Sequence, residues 1–332
     1  MSARSVTLGL LVLAGLECGV SACAGANGES VKAMVAARGP STAIDARLQG
    51  IADDEAGRTR AEWAAKRVVI IVLDPHSGTV LALHDDAPGE PVVPASTLKA
   101  LTVALGLDAA LITPEQRFDC GNGTRAYGSV ELRDPVQHGS LSAAEILQVS
   151  SNIGVSRIFD VLGAERFKDG MRRFHIAIPG SIESGTIRGA IIANGEGSTL
   201  TPLALTAAYG VFADDGVLAV PGAQSERVIK ESTARELRSM LEGVVTGELG
   251  NGKAAAVPGV RVGGKTGTSD PSPDCGVCPH GVGAFANFVG IVPLDARGWV
   301  IYVGVADSQK EGNGGTIAAP VFARVAKRAL SQ

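Results

Sequence analysis

Three short groups of residues carry side chains suited to acyl-transfer chemistry. The first is Ser96-Thr97-Leu98-Lys99, which follows Pro94-Ala95 and opens the apolar stretch Leu98 to Leu111. That placement predicts Ser96 at a helix N-terminus with Lys99 one turn on, on the same face. A hydroxyl is a poor nucleophile until a base takes its proton. A lysine can serve if burial and nearby positive charge depress its pKa from about 10.4. Alone, the pair is better read as an N-cap serine followed by a solvated lysine. The second group is Ser150-Ser151-Asn152, near the end of a predicted helix, and the third is Lys265-Thr266-Gly267-Thr268, at the end of a predicted strand. Ser96 is the only serine with lysine at +3, Asn152 the only asparagine with serine two before it, and Lys265 the only lysine followed by Ser/Thr-Gly.

The elements that must position these groups come from both ends of the chain. Arg67 to Asp74 and Thr79 to Leu83 are β-rich runs around Pro75-His76-Ser77-Gly78, which predicts a hairpin. From Ser96 to about Val245 the spacing turns helical, with start signals at Ser142-x-x-Glu145, Thr201-Pro202 and Thr233-x-x-Glu236. Strands return at Val260 to Gly264, Ala284 to Val292 and Trp299 to Val305, before a closing helix from Ala318 to Leu330. The expected fold is of α/β (α+β) type: a five-stranded antiparallel sheet flanked by helices, with a large helical subdomain inserted between the second and third strands. The sheet lobe is 67–95 and 256–332, the helical lobe is 96–255, and the cleft between them is where a site belongs.

In this order the three groups resemble the signature motifs of penicillin-binding protein transpeptidase domains, a set closely related to that of class A β-lactamases. The resemblance extends to Leu147 through Ile158, to Gly195-Glu196-Gly197 with Thr201-Pro202-Leu203, and to Gly314-Gly315-Thr316 with Ala319-Pro320-Val321-Phe322. It implies that Ser96 attacks the carbonyl of a D-Ala-D-Ala stem peptide or a β-lactam, with Lys99 as base. It implies further that Ser150 relays a proton to the leaving amine and that Asn152 holds Lys99 and the substrate amide. Lys265, Thr266, Gly267 and Thr268 bind the substrate carboxylate on this reading, Lys265 also keeping the Lys99 amine neutral. The backbone N–H groups of Ser96 and Thr268 form the oxyanion hole. The family pattern Glu-x-x-Leu-Asn of class A β-lactamases is absent after Asn152, and Asn152 stands where class D enzymes carry an apolar residue. Transfer to an amine, cross-linking peptidoglycan, is therefore the expected reaction, with D-Ala-D-Ala carboxypeptidase, weak β-lactamase or non-turnover β-lactam sensor as alternatives.

Other chemistries fit less well. Gly259-x-x-x-x-Gly264-Lys265-Thr266 matches a phosphate-binding loop, yet the residues before it end in Pro258 and those after it run into Pro271 and Pro273, so no helix follows. A net charge of −4 with interspersed signs gives no footprint for nucleic acid. No metal and no cofactor are expected. The histidines are scattered, and Cys275, Cys278 and His280 are one ligand short of a zinc site. Arg4 and the apolar run Val6 to Val20 read as an export signal over 1–23, or as an uncleaved membrane anchor, followed by a short lead-in over 24–66. Val20-Ser21-Ala22-Cys23 resembles a lipobox, which implies lipidation of Cys23. Export implies a periplasmic or cell-surface site of action, where Cys120, Cys275 and Cys278 can pair, with a local Cys275–Cys278 disulfide or two free thiols as the expected state.

Overall fold

Strand β1 (Arg67–Asp74) is apolar on both faces, and its period of two sorts those faces between two cores. Val69, Ile71 and Leu73 point toward the helical lobe, while Val68, Ile70 and Val72 point away from it. A strand so buried must lie inside a sheet covered on both sides. In the computed structural model, which describes residues 43–269, 285–296 and 298–331, it does. With β2 (Thr79–Asp85), β3 (Gly263–Ser269), β4 (Phe285–Val292) and β5 (Trp299–Ala306) it forms a five-stranded sheet in the order β2-β1-β5-β4-β3, every neighbouring pair antiparallel. The expected sheet, and the insertion between its second and third strands, are both present.

One face of the sheet is covered by α1 (Ala46–Trp63) and α9 (Ala319–Leu330). The other carries the inserted lobe: α2 (Lys99–Asp108), α3 (Ala143–Val149), α4 (Asn152–Leu162), α5 (Ala164–Arg173), α6 (Ile187–Ala193), α7 (Pro202–Ala213) and α8 (Glu231–Thr246). Two expected starts hold. Ser142 and Glu145 form a reciprocal capping box at α3, and Thr201 caps α7 with Pro202 in its first turn.

Four expectations need correction. The third strand is Gly263–Ser269 rather than Val260 to Gly264, so Lys265-Thr266-Gly267-Thr268 lies within the strand. Val260 instead closes a turn onto Val257 across Gly259, whose φ of +75° only glycine adopts readily. Second, Thr233-x-x-Glu236 does not cap α8. The helix begins at Glu231, and Asp108 at the end of α2 receives the Lys230 N–H at 2.7 Å and the Thr233 hydroxyl at 3.3 Å. Third, the inserted lobe is not purely helical: short ribbons pair Arg117–Asp119 with Ser140–Ser142, Thr124–Tyr127 with Val130–Arg133, and Val217–Leu218 with Glu226–Arg227. Fourth, Cys120 is a buried free thiol beneath the Ser151 hydroxyl, not a disulfide partner. Cys23, Cys275, Cys278 and the export segment lie outside the described residues.

Candidate active site

Ser96 sits second in a single 3-10 turn, Ala95–Leu98, that leads directly into α2. The turn is entered through a strained residue: Ala95 is buried and has φ +50°, a conformation that costs a non-glycine residue about 1 kcal/mol or more. Its partner explains why it is held. The Ala95 N–H donates to Gly195 O at 3.0 Å, and a Cβ on Gly195 would stand 1.9 Å from Ala95 O, so only glycine fits there. The result is a half-buried Ser96 on the cleft side with Lys99 fully buried one turn on.

The second group is positioned by a reversal. Ser150 ends α3 in the left-handed region, φ +63°, and Ser151 caps α4 through a hydroxyl bond to the Gly154 N–H. Two helices meeting almost without a linker turn the Ser150 carbonyl, its hydroxyl and the Asn152 amide toward one point. That point is the Lys99 amine, which donates to Ser150 O at 2.6 Å and Asn152 Oδ1 at 2.6 Å and lies 3.2 Å from Ser150 Oγ. The two short bonds use both N–H groups of a neutral amine, leaving its lone pair available as a proton acceptor. Burial pulls Lys99 down to about 7, against the opposing fields of Asp134 and Glu196.

The third group enters on β3, the edge strand of the sheet. The Lys265 amine, also fully buried, donates to Ser150 Oγ at 2.9 Å, so Ser150 bridges the two lysines. Burial, and then the proximity of Lys99, hold the Lys265 amine well below its ordinary value. Thr266 donates to Asn251 Oδ1 at 3.0 Å, and the exposed Thr268 accepts from the Gly314 N–H at 3.0 Å, which leaves the Thr268 hydroxyl proton free to donate. Gly267 lies opposite Asn287 of β4, and a Cβ at Gly267 would meet Asn287 Oδ1 at 2.4 Å and Pro94 O at 2.9 Å. This close approach brings the β3 edge against the segment that carries Ser96. Since Lys265 lies inside a strand, two residues into it, and not at the start of a helix, the phosphate-loop geometry is excluded.

All the residues expected on the cleft, Ser96, Lys99, Ser150, Asn152 and Lys265 to Thr268, therefore meet at one place. Several neighbours, Gly314 of the Gly314-Gly315-Thr316 segment apart, had no recognisable local signal. Asp134 accepts from the Ser151 hydroxyl and from the Asn152 and Ile153 N–H groups, capping α4 from a separate loop. Asn194 donates to Asn152 O at 3.1 Å, and Asn251 and Gly314 anchor the β3 hydroxyls. In sequence Asp134, Asn194 and Asn251 are unremarkable polar residues; only the third dimension puts them at the motifs.

Comparison with known proteins agrees with this geometry. The family described as penicillin binding protein transpeptidase domain matches residues 68–327. The penicillin-binding protein PbpB of Mycolicibacterium smegmatis is 29% identical over 87% of this chain and 54% of its own length. A probable peptidoglycan D,D-transpeptidase FtsI of Caulobacter vibrioides is 30% identical over 86% of this chain and 57% of its own. The chain thus spans little more than half the length of these curated relatives. Among solved structures, the transpeptidase domain of Burkholderia pseudomallei penicillin-binding protein 3 superposes with a TM-score of 0.77 at 29% identity, covering 86% of this chain and 94% of that one. Penicillin-binding protein 3 of Mycobacterium tuberculosis, solved with aztreonam, gives 0.73 at 26% identity, covering 85% and 76%.

Proposed function

Because the chain belongs to the penicillin-binding protein transpeptidase domain family, we propose that it is a serine D,D-transpeptidase that cross-links peptidoglycan stem peptides and is acylated by β-lactams. The observation that carries this reading is the buried chain Lys99–Ser150–Lys265, with its two short bonds to the Lys99 amine, beside a half-buried Ser96.

Ser96 Oγ attacks the carbonyl carbon of the penultimate D-Ala while its proton passes to the Lys99 lone pair. The negative charge that develops on the carbonyl oxygen is met by the N–H groups of Ser96 and Thr268. The C–N bond then breaks, and the leaving D-Ala amine collects a proton through Ser150 Oγ, which touches both lysine amines. An ester on Ser96 results. An acceptor amine attacks that ester, gives its proton to Lys99, and the Ser96 C–O bond breaks with the proton returned to Oγ. Lys265 and the Thr268 hydroxyl take the substrate carboxylate. An arriving anion restores to Lys265 the charged state that burial opposes in the empty site. The apolar run Val6 to Val20 and Cys23 support action outside the cytoplasm with membrane attachment at the N-terminus. No helix among the described residues is long and apolar enough to cross a membrane.

Labelled penicillin tests the reading. A stable covalent adduct in the purified protein, lost in Ser96→Ala, is expected; absence of the adduct overturns serine acylation. A D-Ala-D-Ala peptide offered with and without an acceptor amine then distinguishes transfer from hydrolysis. Product formed only as free acid in both cases would make the protein a carboxypeptidase.

A further inference from the structure

Four ionisable groups lie within one another's fields around Lys99: Lys99 on α2, Lys265 on β3, Asp134 after the Val130–Arg133 ribbon, and Glu196 after α6. Among the described residues, Asp134 and Glu196 are the two acids whose fields act on Lys99. They differ in what else they do. Asp134 is committed to the N-terminus of α4, accepting from Ser151, Asn152 and Ile153. The Glu196 carboxylate makes no hydrogen bond or ion pair with any described residue, although it is largely withdrawn from water. Its backbone is fixed at both sides of the site. Its own N–H donates to Ile191 O, Gly195 O holds the Ala95 N–H one residue before Ser96, and Asn194 holds Asn152 O. A carboxyl group so fixed and so unpaired is not there to stabilise the fold, since burying it without a partner costs free energy.

We propose that Glu196 acts through Lys99 as the counter-charge of the base: ionised, it favours the ammonium that forms when Ser96 gives up its proton, and so sets both the strength of the base and the pH at which Ser96 becomes reactive. The role rests on Lys99 being the base, as proposed above, and parallels the carboxylate behind an imidazole base, which stabilises the cation without itself accepting the proton. Burial lifts the Glu196 carboxyl to about 7, with Lys99 opposing the shift, so the two groups titrate in one range and respond to each other.

The test is the pH dependence of the second-order rate of labelling by a fluorescent penicillin in the wild type, Glu196→Gln and Glu196→Asp. Glutamine is isosteric and the carboxylate has no hydrogen bond to lose, so the variant retains the fold, verified by an unchanged cooperative melt. Removing the negative charge lets Lys99 lose its proton more easily. The acidic limb of Glu196→Gln is therefore expected to move at least about half a unit to lower pH, while the plateau rate falls several-fold because the amine is a weaker base. Glu196→Asp keeps the charge and should keep the limb near its wild-type position. A Glu196→Gln profile that superimposes on the wild type, or one that only drops in height with no shift of the limb, overturns the assignment to Glu196 and leaves the function standing. A wild type that takes no label overturns the function itself, and the role of Glu196 with it.

Discussion

At the scale of residues, the site works by denying water to amines. Lys99 and Lys265 are both fully buried, and the main cause of each depressed pKa is burial. Burial alone lowers Lys99, while the field between the two amines acts on Lys265, which Lys99 pushes further down. For Lys99 the sign of the consequence is definite. In the proposed mechanism acylation requires the free amine, so its rate is expected to rise about tenfold per unit as pH increases toward 7 and to level off above, measured by labelling kinetics. Stability follows the same group. Between about 7 and the ordinary value near 10.4 the folded state binds fewer protons than the unfolded chain, so wild-type stability gains with rising pH across that window. Lys99→Met should lose the Lys99 share of this gain in urea melts between pH 7 and 10, Lys265 keeping its own, and should not acylate. Asp134 is the other residue with a large expected effect. Asp134→Ala removes the acceptor for three donors at the start of α4, which should cost about 1–2 kcal/mol and slow acylation, because Asn152 loses the anchor of its backbone.

At the scale of elements, close approaches rather than polar contacts set the geometry. Ser150 and Ser151 join α3 to α4 with a single left-handed residue, and this reversal aims a carbonyl, a hydroxyl and an amide at one amine. Gly195 does the corresponding work for the turn that carries Ser96. At φ +93°, with Ala95 O 1.9 Å from where a Cβ would be, Gly195→Ala must push away the turn that carries Ser96. The expected outcome is a loss of about 2 kcal/mol or more in thermal stability and at least about a tenfold drop in penicillin labelling by the protein that remains folded. The sequence made α3 and α7 readable because their capping signals are local: Ser142 with Glu145, Thr201 with Pro202. It misplaced the start of α8 because the group that satisfies Lys230 and Thr233 is Asp108, more than a hundred residues earlier. Strand β3 was displaced for a related reason. Its glycines are chosen by the Phe288 ring, 2.4 Å from a Cβ at Gly264, and by Asn287 and Pro94 at Gly267, so the strand has little of the β-branched composition that marks β1 or β5.

At the scale of the molecule, the sheet separates two cores with different tasks. The core toward the inserted lobe fixes the cleft; the core on the far face, under α1 and α9, holds the sheet itself. Glu55 of α1 is buried and accepts from Arg324 at 2.7 Å and Arg328 at 3.1 Å, clasping those two helices together. Glu55→Ala should cost about 2–3 kcal/mol in chemical denaturation, less than a fully buried pair since both guanidiniums reach water. The labelling rate of the folded fraction should be unchanged, which separates the far core from the cleft. What the sequence alone determined is the inventory: a period of two that makes β1 a two-faced strand, helix starts with their caps nearby, and three motifs whose chemistry requires them to meet. What the tertiary structure decided is the state of those motifs. Which amine is dry, which hydroxyl bridges two lysines, and which acid, Asp134 or Glu196, is left without a hydrogen bond all depend on groups far apart in the chain. Burial and field are properties of the packed neighbourhood, and a linear order of residues does not contain them.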